Sequence, residues 1–514
     1  MMINIVEMLE RAASKYGEKV AFSDPDKEIT FSGLREMALR TAVCLADMKG
    51  RDRLKPGSAV AFYMEKSVDA LIVMFAGMYL GDFYSFIDIR QTANRAESII
   101  DVLEPEFIIT DEANKDALCD LKLSDQNRKN IVLIPHLLKE ARETAIDREF
   151  LDKIGRDFYD KMPLYVNFTS GSTGVPKGVV VGHASVIEFI SEFTKVFDIT
   201  SEDILANQAP FDFDVSVKDI YSGLYTGARV ALIPREYFSN PTVLMDYISD
   251  NRATVLIWAV SAMCFVSIMN GLEYRNPETV RQVMFSGELM PVKQLNKWKK
   301  YLPDARYVNL YGPTEITCNC TYHILDREYE KDEVIPIGIP FRNEKVFLLD
   351  EDDKEITLPG IEGEICVSGS CLALGYYKDD KKTAVSFVQN PLNNRYAETI
   401  YRTGDLGKYD DTGVLFYTSR KDFQIKHMGQ RIELSDIDVS AMSVDGVSRA
   451  CSIYDDKHKK IILFYTGDIE KDEMAEKIRK KLPPFMLPSK TVKLDDLPLN
   501  KNGKIDRNAL MQIK

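Results

Sequence analysis

The sequence predicts an α/β fold: a large N-terminal domain of parallel sheets, a β-barrel-like subdomain, and a small, mobile α+β C-terminal domain. Three observations predict it. Apolar, β-branched runs at 60–64, 107–110, 131–134, 230–233, 254–258 and 282–285 alternate with segments of helical periodicity such as 67–80 and 95–103. Strands that are apolar throughout and separated by helices belong to parallel sheets covered on both faces. From about residue 340 the texture changes, and runs at 346–349, 363–367 and 414–417 are separated by Gly-, Pro- and Asp-rich turns, as in antiparallel structure. After Arg420 a compact unit follows, with strand-like 422–426, 450–454 and 460–465 and the helical 471–482. The boundary is placed between an N-terminal core of 1–421 and a C-terminal lid of 422–514, where a break lets two rigid bodies reorient.

A chain of 514 residues, 45% hydrophobic and 28% charged, has the length for a large cored domain plus a smaller one. Its formal net charge of -13 supplies no basic face for nucleic acid, so local basic groups are expected to serve small anions. Eight cysteines without paired spacing fit a reducing compartment, and the cytoplasm is the expected location. The apolar run 70–80, bounded by Asp69 and Asp82, is too short to cross a bilayer, and residues 1–16 carry acidic groups rather than an export signal.

The most informative stretch is Asn167, Phe168, Thr169, Ser170, Gly171, Ser172, Thr173, Gly174, Val175, Pro176, Lys177 and Gly178, set between two apolar strands. Its three glycines let backbone amides turn toward an anion, its four hydroxyls add neutral donors, and Lys177 adds a positive charge. It is a polyphosphate cradle of a different kind from the loop in which Gly-Lys is followed by Ser or Thr and a helix, because Lys177 is followed by Gly178 and a strand.

This run resembles the signature loop of the adenylate-forming superfamily of acyl-CoA synthetases, luciferases and nonribosomal-peptide adenylation domains, and the resemblance extends over essentially the whole chain. It implies ATP as substrate, with Thr169, Ser170, Gly171, Ser172, Thr173, Gly174 and Lys177 around the β- and γ-phosphates. Further motifs follow in the family's order. Tyr311, Gly312, Pro313, Thr314 and Glu315 resemble the segment in which Thr314 meets the α-phosphate and Glu315 supports Mg²⁺, while Asn309 stands at the adenine position. Tyr401 to Asp405 resembles the segment whose aspartate, here Asp405, accepts from both ribose hydroxyls. Arg420, Lys421 and Asp422 resemble the hinge, with Asp422 at the pivot and Arg420 toward the nucleotide, although Ser419 stands where glycine is usual. Near the end, Asn502, Gly503 and Lys504 resemble the terminal motif, which makes Lys504 the catalytic lysine that bridges carboxylate and α-phosphate. The resemblance further implies a rotated state in which Lys426 and Gly429 approach the site and a phosphopantetheine thiol accepts the acyl group. No carrier-type Gly-Gly-x-Ser site is present, so a separate carrier protein is the expected partner, with the enzyme itself a monomer.

Phe213, Asp214, Val215, Ser216 and Val217 match the amino-acid branch, in which the aspartate pairs with the substrate's α-ammonium. Alignment of the pocket implies a lining of Asp214, Val215, Lys218, Ile257, Met284, Ser286, Leu310, Cys318 and Asn319, cramped by Ile257, Met284 and Leu310. The pattern most resembles stand-alone D-alanine:D-alanyl-carrier-protein ligases, with Ser286 at a position commonly cysteine and Lys218 at one usually apolar. Lys218 either pairs with a substrate carboxylate, which would indicate an acidic amino acid, or packs its stem and carries its charge to solvent. The Cys318/Cys320 pair lacks the companions a metal site needs. The alternatives are a peptide-synthetase adenylation enzyme for another amino acid, an acyl-CoA ligase, and a non-catalytic nucleotide-binding protein.

Overall fold

The computed structural model describes residues 2–169, 176–330, 333–421, 424–498 and 505–513, without the side chain of Asn508. Two large sheets organise the N-terminal part. In the first, Val20–Ser23, Arg229–Leu232, Ile204–Asn207, Val255–Ala259, Gln282–Ser286 and Arg306–Tyr311 run parallel, flanked by antiparallel Glu28–Thr30 at one edge and Thr321–Ile324 and Ile339–Pro340 at the other. In the second, Pro163–Thr169, Phe83–Phe86, Ala59–Tyr63, Phe107–Thr110 and Ile131–Leu133 are parallel, with Lys177–Gly182 and Gly375–Tyr376 added antiparallel.

Alternate side chains of these strands face different layers, which is why the strands read as apolar throughout. Ile257, Met284 and Val308 join Phe62 and Phe86 in the core between the two sheets, whereas Leu256, Trp258, Val283 and Phe285 pack outward on the helices Val260–Ile268 and Val292–Tyr301. Ala61, Phe83 and Ile108 form the opposite outer core with Ala93–Leu103. Helix Val68–Tyr79 is buried along nearly its whole length in the central layer, and its start is fixed by Ser67 Oγ, which accepts from the Ala70 amide at 3.1 Å.

A third sheet is antiparallel, as expected, and contains Glu344–Leu349, Gly363–Gly369, Thr399–Tyr409 and Leu415–Arg420. Thr399–Tyr409 pairs with Phe387–Gln389 through its first part and Leu415–Arg420 through its second. In the C-terminal part, hairpin Gln424–His427/Gln430–Glu433, helix Leu434–Met442 and the sheet Val447–Asp455, Lys460–Gly467, Lys490–Lys493 enclose a core of their own around Ile437, Leu463 and Met474. Among the described residues no helix is long and apolar enough to cross a membrane.

Candidate active site

Strand Arg306–Tyr311 carries two residues expected on the nucleotide side. Asn309 and Tyr311, two apart, share one face of it. The Tyr311 phenol donates to Asp405 Oδ2 at 2.6 Å, and Arg420 Nη1 donates to Asp405 Oδ1 at 2.5 Å. Asp405 and Arg420 are register partners on adjacent strands, and Asp405 is 2% exposed. Burial and the adjacent carboxylate drive the Tyr311 phenol well above its usual range, so it remains a donor. The Asn309 amide donates to Pro336 O at 2.8 Å. Gly312 is required by a close backbone approach: a Cβ there would stand 2.5 Å from Asn319 Cα.

The chain then enters the short turn Thr314–Ile316. Thr314 hydrogen-bonds the buried Asp214 carboxylate, whose backbone carbonyl accepts from Cys318 Sγ at 3.0 Å. Burial pushes the Asp214 carboxyl upward, and the Thr314 hydroxyl and the charges of Lys218 and Lys426 pull it back. Glu315 accepts from the Tyr376 hydroxyl at 2.8 Å and from Arg431 Nη1 at 2.7 Å. Burial alone would raise the Glu315 carboxyl, but these two partners, Arg431 foremost, hold it down to about 2.

The residues expected to line the amino-acid pocket are buried together. Ile257 and Met284 are register neighbours, as are Ser286 and Leu310. Val215 caps helix Ser216–Thr226, which carries Lys218 into the central layer. Lys218 does not carry its charge to solvent. The side chain is 0% exposed and donates to Asn319 Oδ1 at 2.7 Å, because its helix is sandwiched between the sheets with no path outward.

On the expected phosphate side, Thr169 and Lys177 are register partners, the last pair of the ladder between Pro163–Thr169 and Lys177–Gly182. Ser170, Gly171, Ser172, Thr173 and Gly174 lie outside the described residues, as do Asp422, the expected pivot, and Lys504. The C-terminal part reaches the site through its hairpin, whose tip has Met428 and Gly429 at φ 52° and 77°. Positive φ at both turn residues is the geometry of a two-residue hairpin, and Gly429 is its sequence signal. Ile425 and Ile432 point into the C-terminal core, so the period of two turns Gln424, Lys426, Arg431 and Glu433 the other way. Lys426 Nζ lies 5.7 Å from the Tyr311 ring centre, Lys177 Nζ is 3.2 Å from Glu433 Oε1, and the Gly429 amide donates to Glu288 Oε1 at 2.7 Å.

A cleft of about 570 Å³, its open mouth included, is lined by Thr169, Asp214, Thr314, Arg431 and, on its outer side, Gln91 and Arg95. Of the nine expected pocket residues only Asp214 lines it. A second cleft of about 690 Å³ shares Arg95 and runs out between Thr92, Ser98, Ser440 and Lys481. Sequence reasoning missed Arg431, Glu433, Tyr376 and Arg95. Each is an ordinary charged or aromatic residue whose role appears only when distant segments meet, although the alternation through 424–433 marks Arg431 and Glu433 as one face.

The chain is 30% identical to surfactin synthase subunit 1 of Bacillus subtilis (strain 168) over 98% of its own length and 14% of the relative's. It is 29% identical to an L-proline--[L-prolyl-carrier protein] ligase of Streptomyces coelicolor, with 89% and 87% covered. The solved structure of holo-PA1221, described as a nonribosomal peptide synthetase protein containing adenylation and PCP domains, shares the fold with a TM-score of 0.83 at 24% identity, covering 99% of this chain and 84% of that one. The chain thus spans a small part of some curated relatives and nearly the whole of others. A family model described as AMP-binding enzyme matches residues 9–377, and on that match the chain belongs to the AMP-binding enzyme family.

Proposed function

We propose that this protein uses ATP to convert a small amino acid, D-alanine as the leading reading, into an aminoacyl adenylate and then transfers the acyl group to a phosphopantetheine thiol of a carrier protein. The buried Asp214 carboxylate carries this reading. It sits beside Thr314 at the cleft, destabilised as an anion by burial, and an α-ammonium is the partner that repays its desolvation. The L-prolyl-carrier protein ligase and the PCP-containing structure support the carrier as acceptor.

In the first step a substrate carboxylate oxygen attacks the α-phosphorus, the bond to the β-phosphate bridging oxygen breaks, and pyrophosphate leaves. Asp405, Tyr311 and Arg420 hold the ribose side, Asn309 the adenine side, Thr169 and Lys177 the phosphates, and Thr314 the α-phosphate. Among the described residues no cluster of three or more His, Cys, Asp or Glu forms a cage for a metal ion. Glu315, a buried carboxylate kept anionic by Arg431 and Tyr376, fits a hard cation and would hold Mg²⁺. When bound, the ion offsets charge on the phosphates. In the second step the thiol sulfur bonds the acyl carbon, AMP leaves, and the thiol proton is released. The arm would enter by the outer cleft past Arg95 and Lys481, whose charges suit its phosphate. Residues 422–514 would turn about Asp422 between the steps, exchanging Lys504 for the Lys426–Gly429 face.

One observation favours a second reading, an amino acid with a side-chain carboxylate: Lys218 places a fully buried ammonium among the lining residues. ATP–pyrophosphate exchange across the L-amino acids, D-alanine, and a few fatty and aryl acids tests both, with Lys504→Ala as the control that should lose exchange. Preference for D-alanine or another small amino acid supports the first reading and preference for Asp or Glu the second. Exchange with fatty or aryl acids alone would sink both.

A further inference from the structure

Lys66 lies between strand Ala59–Tyr63 of the second sheet and helix Val68–Tyr79, yet its ammonium is turned toward the first sheet. It donates to Asn207 Oδ1 at 2.8 Å and to the carbonyls of Asn207, Gln208 and Ala209 at 2.9, 2.9 and 3.1 Å. These carbonyls end strand Ile204–Asn207, where the chain leaves the sheet and successive oxygens converge on one point. An ammonium has three donors, so one of them is shared. Among the described residues no other group donates to Gln208 O or Ala209 O. The same strand end is tied to the helix beyond it: Asn207 Nδ2 donates to Asp219 Oδ2 at 2.8 Å, and Asp219 is buried on helix Ser216–Thr226. The segment between, 208–215, is therefore a loop closed at its base, and Asp214 belongs to it. Gln208 Oε1 accepts from the Ala259 amide at 3.2 Å, Asp212 Oδ1 lies 3.7 Å from Arg235 Nη2, and Ser216 Oγ fixes the turn around Asp214 by donating to Phe213 O at 2.8 Å.

We propose that Lys66 is a positioning residue of the amino-acid site: by holding the carbonyls at the base of this loop, it sets where the Asp214 carboxylate stands for the substrate ammonium. Without the lysine, the oxygens of Gln208 and Ala209 lose their donor, and the loop has to shift to find another. Thr169, Lys177, Asn309, Tyr311, Asp405 and Arg420, the residues assigned to ATP, all lie outside the loop, so the effect falls on the amino acid. The proposal rests on the reading of Asp214 as the partner of the α-ammonium, and Asp214→Asn is measured beside the lysine variants to keep the two apart.

ATP–pyrophosphate exchange on the full chain is run with D-alanine and each common L-amino acid, and the variants are compared on the one exchanged fastest. Lys66→Met should raise the KM for that amino acid about ten-fold, the scale of a lost charged hydrogen bond, and leave the KM for ATP within about two-fold. Lys66→Gln, which keeps a polar donor and more of the packing, should raise it about five-fold and carries the test if Lys66→Met does not fold. In the Asp214→Asn background either lysine variant should add less than about two-fold, because a residue that acts through Asp214 has nothing left to position. A merely structural lysine would raise both KM values together or add its full effect to Asp214→Asn, and either result would overturn the proposal. An amino-acid KM that rises in Asp214→Asn but in neither lysine variant would overturn the proposal alone. One that Asp214→Asn leaves unchanged, or a wild type that exchanges no amino acid, would remove the reading of Asp214 and the proposal with it.

Discussion

Two carboxylates of the site, Asp405 and Asp214, are both buried and differently settled. Asp405 is held by Tyr311 at one oxygen and Arg420 at the other, a site complete before any ligand arrives. Asp214 has a hydroxyl from Thr314 and no ion pair among its described contacts, with Lys218 turned instead to Asn319. If Asp405 holds the ribose, as proposed, a preformed clamp suits a nucleotide that is the same in every turnover. A carboxylate left short of charge, as Asp214 is, would make the proposed acyl side depend on what binds there, and on that reading the difference locates affinity on one side and selectivity on the other.

The sharpest way to break this contrast is Asp405→Ala. It should cost about 3–5 kcal/mol of stability, because one member of a buried ion pair is removed while Arg420 keeps its charge. It should also lower the use of ATP about 10²-fold, the scale of a lost charge-assisted bond. Thermal melting and exchange at varied ATP check the two parts.

Asp214→Asn should behave oppositely, losing about 10²-fold in kcat/KM for the amino acid, as when one member of a desolvated charge pair is removed. Its melting temperature should hold or rise. The folded-state pKa of Asp214 is raised from 3.8, so the folded protein binds this proton more tightly than the unfolded chain and the group lowers stability as pH climbs through that interval. The variant should therefore gain most above the interval, near neutral pH, and nothing below pH 3.8. A loss of stability equal to that of Asp405→Ala would erase the distinction between the two sides.

Lys218→Met should have the smallest effect if the substrate is small and apolar, within about three-fold in exchange, since replacing a buried charge by a similar volume is often neutral. Collapse of exchange confined to Asp or Glu would assign the ammonium to the substrate.

The sequence made the layers readable where both faces of a strand are buried. The runs at 107–110 and 282–285 appear as Phe107–Thr110 and Gln282–Ser286, because β-branched and aromatic residues on two faces leave no alternative. The antiparallel additions Glu28–Thr30 and Gly375–Tyr376 were not legible, since a two- or three-residue edge strand has no period to detect. In the site, residues within contiguous motifs, such as Tyr311 to Glu315, could be named from sequence. Partners supplied across the fold could not: Arg431 is 116 residues from Glu315, and nothing local distinguishes it from a solvated arginine. Lys218 shows the same limit, because a lysine's direction depends on whether its helix borders water.

The turn after Glu315 carries one more consequence. Thr317 and Cys318 are both left-handed, with φ 55° and 75°, and Gly312 packs its backbone against the next residue. Non-glycine residues cost about 1–2 kcal/mol in that region, and a branched side chain at 318 more. The turn is therefore conformationally prepaid and hard to vary, whereas Ile257 and Met284, the other expected pocket positions, sit on regular strands that accept almost any apolar shape. A lineage built on this backbone would change its substrate through the strands and inherit the turn unaltered.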